Sequence, residues 1–219
     1  KNGKEIWNFK TDKPLIKSKK KNSLIIKKNN IIFNNSVGDI TAVNSETGEL
    51  VWQAPTQSKK IYDESMFFKN SDLISAKNSI FFSNNNNGFF SLDADSGLVN
   101  WKQKINSNVR PVFFNNLIFT ITNESYLVVI DNESGNLIRS NYLLGNFKKK
   151  KRKKIKPVGF IVGQINIYLT LNNGKLLVVD IKTGSVNTVL KIDKEKISSP
   201  VVQGQNLYVA KNNSIIKLN

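Results

Sequence analysis

Four stretches of the chain follow one pattern, and this repetition constrains the fold more than any single residue does. They read GDITAVNSETGELVWQ (Gly38 to Gln53), GFFSLDADSGLVNWKQ (Gly88 to Gln103), SYLVVIDNESGNLIRS (Ser125 to Ser140) and GKLLVVDIKTGSVNTV (Gly174 to Val189). Each opens with a run that alternates at period two and ends at a short polar residue: Asn44, Asp93, Asp131 or Asp180. Four residues later comes Gly48, Gly97, Gly135 or Gly184, preceded by Thr47, Ser96, Ser134 or Thr183. Asp and Asn accept backbone amides two residues on, Ser and Thr do so more weakly, and Gly takes the positive-φ position that closes a turn. Aromatic and β-branched residues on both sides favour strands. The pattern therefore predicts an all-β chain built on repeated hairpins.

Two further strand-like runs precede each hairpin. They are PVFFNN and LIFTITNES in the third copy, PVGFIVG and NIYLTLNNG in the fourth, and PVVQG and NLYVAKNNS before the chain end. One unit is then four antiparallel strands. The turn glycines at 3, 48, 97, 135 and 184 lie 45, 49, 38 and 49 residues apart, the size of a propeller blade. The expected architecture is a β-propeller of four-stranded antiparallel blades. About five are present in a single, partial domain over residues 1–219, with Ser125 and Ser214 standing where other copies have Gly. Trp7, Trp52 and Trp101 each follow a turn glycine by four residues, on the outer strand, where a large ring can fill the seam between neighbouring blades. Arg139 and Thr188 hold that slot in later copies, so the motif decays toward the C-terminus.

Composition excludes several kinds of chemistry. The chain has no Cys and no His, which removes disulfides, thiolate nucleophiles, imidazole bases and the commonest metal ligands. No apolar run approaches the ~20 residues that span a bilayer. The formal net charge is +17. Abundant Lys, Asn and Ile are what an AT-rich genome imposes on tolerant surface positions; a basic face that attracts anionic lipid or nucleic acid is the alternative.

The order of short acidic or amide residue, two variable positions, Ser/Thr-Gly and then Trp, as in ADSGLVNW and NSETGELVW, resembles the tryptophan-docking repeat of pyrroloquinoline-quinone-type propellers. The resemblance covers essentially the whole chain. Quinone-dependent dehydrogenases of that superfamily use a catalytic Asp, Ca²⁺ ligands and often a vicinal Cys pair. Here Cys is absent, and the Asp residues are mostly accounted for by turns. The nearest other acidic stretch is Asp63–Ser65, in a loop. A fragment of such a dehydrogenase is the alternative reading.

The closing segment ISSPVVQGQNLYVAKNNSIIKLN is similar to the last blade of the BamB family, the propeller lipoproteins of the outer-membrane β-barrel assembly machinery. That resemblance implies an eight-bladed parent, of which this chain is the C-terminal part, lacking the lipid-bearing Cys and about three blades. The ends suggest a split blade. Glu5–Lys10 could pair with the last blade and close a ring, although an open arc is the more natural expectation.

The resemblance further implies a non-catalytic scaffold at the periplasmic face of the outer membrane in a Gram-negative bacterium. It would bind no cofactor and would hold the periplasmic domains of BamA while assisting unfolded outer-membrane proteins. In the family, docking uses two neighbouring inter-blade loops, one with Leu and Arg and the next with acidic residues. The corresponding positions are Leu15, Ile16 and Lys17, with Asp63 and Glu64. Lys17 stands where the family has Arg, which weakens bidentate pairing. Leu15 and Ile16 could equally enter the first strand of their blade.

FKKKKRKKIK, Phe147 to Lys156, has eight basic residues in ten. It joins two blades and should be an extended rim loop repelled into solvent. Lys148, Lys149, Lys150, Lys151, Arg152, Lys153 and Lys154 are candidates for contact with an anionic membrane surface or acidic partner. Nucleic acid is not expected, because interleaved aromatics for base stacking are absent.

Overall fold

The computed structural model describes residues 2–11, 22–35, 38–56, 70–84 and 88–218. They form four four-stranded antiparallel sheets and one of three strands, each with strands in sequence order. The first holds β1 (Leu24–Lys27), β2 (Asn30–Asn34), β3 (Ile40–Asn44) and β4 (Leu50–Ala54); the second holds β5 (Ile74–Ala76), β6 (Ser79–Asn84), β7 (Gly88–Asp93) and β8 (Val99–Gln103). The third runs through β9 (Val112–Phe114), β10 (Leu117–Ile121), β11 (Tyr126–Asp131) and β12 (Leu137–Tyr142). A short helix, α1 (Lys149–Arg152), leads to the fourth: β13 (Pro157–Val162), β14 (Asn166–Leu171), β15 (Lys175–Asp180) and β16 (Val186–Lys191). The last sheet has β17 (Val201–Gln203), β18 (Asn206–Lys211) and β19 (Ser214–Leu218). The chain divides into two compact units, Lys1–Asn108 with the first two sheets and Val109–Asn219 with the other three.

The four predicted hairpin turns are built alike. The Oδ1 atoms of Asn44, Asp93, Asp131 and Asp180 each accept two amides. One comes from the residue two places on, at 2.9, 3.1, 3.2 and 3.0 Å, and one from the residue three places on, at 3.0, 2.8, 2.8 and 2.7 Å. The turn glycines take φ between +72° and +74° and donate their amides to the carbonyls of those same polar residues. A register shift follows at the same place in all four hairpins, between Ala42/Val43, Ser91/Leu92, Val129/Ile130 and Val178/Val179. The local code of five residues thus fixes both the turn and a β-bulge beside it.

Burial departs from a half-solvated sheet. Alternation is present, but in the fourth sheet both phases are apolar because its inner strands face two cores. On β15, Leu177 and Val179 join β14's Ile167, Leu169 and Leu171 in a core shared with the third sheet; Leu176 and Val178 join Leu207 and Val209 of the fifth. In the first unit, Ile32, Ile40 and Ala42 of the first sheet pack with Ile80, Phe82, Phe90 and Leu92 of the second. β7 and β11 are buried along almost their whole length and read as near-continuous apolar runs.

One indole lies where the first and second sheets meet. Trp52, 8% exposed on β4, donates its Nε1–H to the Ala94 carbonyl at 3.2 Å in the turn of the second sheet. Its ring lies so close to Gly97 that a Cβ there would come within 2.5 Å. Trp7 repeats the arrangement on the first sheet, donating to Ser45 O at 3.1 Å and covering Gly48, where a Cβ would fall 2.6 Å from the ring. Trp101 is buried on β8, stacked on Phe89 at 6.1 Å and 11° and tilted against Phe81 at 5.8 Å.

Two expectations are corrected. Arg139 does not mark decay of the motif: it reaches into the turn of the fourth sheet and donates to Ile181 O at 2.7 Å and to Lys182 O. Ile181 follows Asp180 as Ser45 follows Asn44 and Ala94 follows Asp93, so the guanidinium binds the carbonyl that the indoles bind elsewhere. Glu5–Lys10 is no strand, and the fifth sheet has no fourth strand among the described residues. Trp7 sits instead on the first sheet's turn, and Phe9 meets Phe33 edge-on at 6.3 Å.

Candidate functional site

The expected docking residues Leu15, Ile16, Lys17, Asp63 and Glu64 lie outside the described residues. The basic stretch lies within them, and its form differs from the expected extended loop. Its ends are anchored: Phe147 and Ile155, 9% and 5% exposed, sink into the core that Leu143 and Leu144 also join. Between these anchors the backbone folds into α1, with amides of Lys151, Lys154 and Ile155 donating to carbonyls three residues back, at 2.8, 3.1 and 3.1 Å. Like charges at helical spacing oppose this coil; burial of the two flanking apolar side chains outweighs them. Lys156 N–H donates to Asn172 Oδ1 at 2.9 Å, and Asn172 Nδ2 donates to Lys154 O at 3.0 Å, so the exit from the helix is fixed as well.

Lys148, Lys149, Lys150, Lys151, Lys153 and Lys154 are exposed, whereas Arg152 is turned back and only half-buried. Arg152 donates from Nε to Phe147 O at 2.7 Å and from an Nη to Gly145 O at 2.6 Å. Its guanidinium stands 5.6 Å from the centre of the Tyr142 ring, a cation–π separation. Tyr142 pairs across the hairpin with Tyr126, ring centres 5.0 Å apart.

These groups border a shallow groove of about 450 Å³, completed by Asn123, Glu124, Lys153, Ile155 and Lys156. Lys156 Nζ donates to Asn123 O across it at 3.4 Å. Glu124 is the one carboxylate on the wall, against three cations, so the groove favours an anion. Sequence reasoning missed the tyrosines. Counted without a bulge, Tyr126 faces Asn141; the shift at Val129/Ile130 brings it opposite Tyr142. The repeated turn code that produces that bulge was the available signal.

Four aspartates elsewhere serve structure. Asp93 is held below the usual range: burial works to raise it, but hydrogen bonds from the Ser96 side chain and backbone, with those from Asp95 and Asn78, outweigh it. Asp180 is lowered chiefly by the Thr183 amide and hydroxyl, and Asp95 by Lys28, at 2.8 Å, with Asn78. Asp193 is lowered to about 2 by Lys211, at 2.8 Å, and by the amides of Glu195 and Lys194. Among the described residues, no group of three or more His, Cys, Asp or Glu converges to hold a metal ion. The turn carboxylates of Asp93, Asp131 and Asp180 each accept several hydrogen bonds from their own turn.

Four-stranded antiparallel sheets, with a Trp or Arg docked on the turn of the first, second and fourth, define a quinoprotein-type β-propeller repeat protein, here as a partial propeller. Residues 1–141 match the family described as outer membrane protein assembly factor BamB, and the chain belongs to that family. Its fold is similar to a crystal structure of BamB from Moraxella catarrhalis, with a TM-score of 0.78 at 12% identity over 97% of this chain. The chain spans 62% of the length of that protein. Two further solved structures share the fold. The computationally designed Ika8 protein has a TM-score of 0.67 at 13% identity, over 89% of this chain and 56% of its own. The Cps50 (Swd1) β-propeller domain of Myceliophteria thermophila has 0.66 at 11%, over 85% and 60%. No curated protein matches in sequence.

Proposed function

We propose that the chain is a non-catalytic scaffold of the outer-membrane β-barrel assembly machinery. It acts at the periplasmic face of the outer membrane of a Gram-negative bacterium, binds the periplasmic domains of a BamA-like protein and assists assembly of unfolded outer-membrane proteins. In this reading the two units are parts of one propeller, and the whole protein carries a lipid anchor. The observation that carries the proposal is family membership over residues 1–141. The structural use of the turn carboxylates supports a role without catalysis.

Leu15, Ile16 and Lys17 are the apolar and cationic contacts for the partner in this reading, and Asp63 and Glu64 the acidic ones. Leu15→Ala with Ile16→Ala is expected to weaken binding to isolated BamA periplasmic domains by about 2 kcal/mol, as interface anchors do, with unchanged circular dichroism. Unfolding of that variant would assign both side chains to blade packing. Unchanged affinity would remove them from the interface. Oxidation of an alcohol or sugar by the intact chain on addition of quinone and Ca²⁺ would replace the scaffold with a dehydrogenase.

A further inference from the structure

We infer that Lys148–Lys154, with the Tyr126–Tyr142 pair beside it, is a docking surface for an anionic phospholipid membrane. The inference does not rest on the scaffold reading, since it needs no protein partner.

Net charge alone does not locate a binding face, because at physiological salt a charge is felt over only about 8 Å. Local density decides. Six exposed lysines occur within the seven residues from Lys148 to Lys154, and none forms an ion pair with a described carboxylate. Each lysine within a Debye length of an anionic bilayer adds its attraction, and a dense patch brings more of them that close at once than the same number scattered over the surface. The patch is also presented rather than tethered. Phe147 and Ile155 anchor its ends in the core, so docking requires little further ordering of the backbone.

Arg152 and the tyrosines indicate what kind of anionic surface fits. Arg152 is withdrawn from the lysine cluster and committed to Gly145 O, Phe147 O and the Tyr142 ring. It therefore positions the aromatic pair and leaves the lysines to carry the free charge. Tyr126 and Tyr142 are 40% and 37% exposed. Rings with an apolar body and a polar tip settle at the headgroup layer of a bilayer. A nucleic acid asks instead for open aromatic faces on which bases stack. Here the Tyr142 ring already carries Arg152 over it and Tyr126 against it. Phospholipid headgroups need only the charge and the hydroxyl-tipped edges.

The test is co-sedimentation of the full chain with phosphatidylcholine vesicles, with and without phosphatidylglycerol. A chain with such an excess of cations adheres weakly to any anionic surface, so the decisive comparison is between two variants of equal charge. K149Q/K150Q/K151Q/K153Q removes four of the six patch lysines; K4Q/K104Q/K182Q/K217Q removes four exposed lysines dispersed elsewhere. Binding is expected on phosphatidylglycerol vesicles alone and to weaken with salt. Neutralising the patch should lower it at least a hundredfold, and the dispersed variant should lose less than tenfold. Equal losses from both variants, or equal binding to neutral vesicles, would overturn the docking surface. So would a DNA duplex that binds the patch more tightly than the vesicles do, or inorganic phosphate releasing the chain at ionic strengths where chloride does not. All substituted lysines are exposed, and matching circular dichroism spectra establish that both variants fold.

Discussion

The Trp52–Gly97 seat between the first and second sheets allows the repeat to be tested as an energetic unit. Ala at Gly97 meets two obstacles. The residue sits at φ +73°, where a Cβ costs roughly 1–2 kcal/mol. That Cβ would also come within 2.5 Å of the Trp52 ring, so the indole must leave its seat. Its hydrogen bond to Ala94 O, worth about 1 kcal/mol net, is lost with part of its burial. Gly97→Ala should therefore destabilise by about 3 kcal/mol in all. Gly204 provides the control: its φ is +60° and a Cβ there meets nothing within 4 Å, so Gly204→Ala carries the backbone penalty alone, about 1–2 kcal/mol.

A double-mutant cycle separates the two contributions. Trp52→Ala should cost about 3–5 kcal/mol by itself. Once the ring is gone, Gly97→Ala should fall to the Gly204 value, a coupling of about 2 kcal/mol. Urea unfolding measures it. Trp7, Trp52 and Trp101 all lie in the first unit, so fluorescence follows that unit, with two indoles left in the Trp52 variant, while circular dichroism reports Gly204→Ala. Additivity within about 0.5 kcal/mol would mean that Trp52 does not lean on Gly97, and the seam would have to be held by other contacts.

Arg139→Ala should destabilise the second unit by about 2–3 kcal/mol, because it strips two charge-assisted bonds from turn carbonyls; Arg139→Trp should recover part of that loss, measured by urea unfolding. The Asp193–Lys211 pair makes stability depend on acid. The Asp193 carboxyl is held at about 2, against about 3.9 unfolded. Its contribution is therefore complete above pH ~4 and lost as pH falls through ~2. Melting temperature should drop more steeply across that window in the native chain than in Asp193→Asn.

How much could be read in advance follows the distance over which each feature is decided. The hairpin turns are local: a side-chain oxygen, two amides and a left-handed glycine within five residues. Asn44, Asp93, Asp131 and Asp180 accordingly announced the four turns they close, and the strands around them fell close to their predicted places. Features that depend on contacts between sheets were not legible in the same way. Arg139 looks like the loss of a Trp until its reach to Ile181 O is seen. Lys149–Arg152 reads as repelled coil because seven adjacent cations dominate the local pattern. The deciding interactions are the burial of Phe147 and Ile155, at its two ends, in a core assembled from distant strands. The Tyr126–Tyr142 pair depends on a bulge that shifts register by one residue.

The division of work between the two kinds of cation gives the sequence a further meaning. Arg110, Arg139 and Arg152 are the chain's three arginines, and the latter two each donate to two backbone carbonyls. A planar guanidinium fork can span two carbonyls in fixed geometry; an ammonium on a flexible stem holds such a position poorly. Arginine within FKKKKRKKIK is therefore no interchangeable member of a basic run. It holds the fold at the one place where α1 must be tied to β12, and the lysines around it are left facing solvent. The same subtraction applies to the acids: Asp93, Asp131 and Asp180 close turns, and Asp95 and Asp193 are paired with Lys28 and Lys211. Once the charges that maintain the architecture are set aside, the concentrated remainder is the lysine patch beside the tyrosine groove, and binding should be sought there.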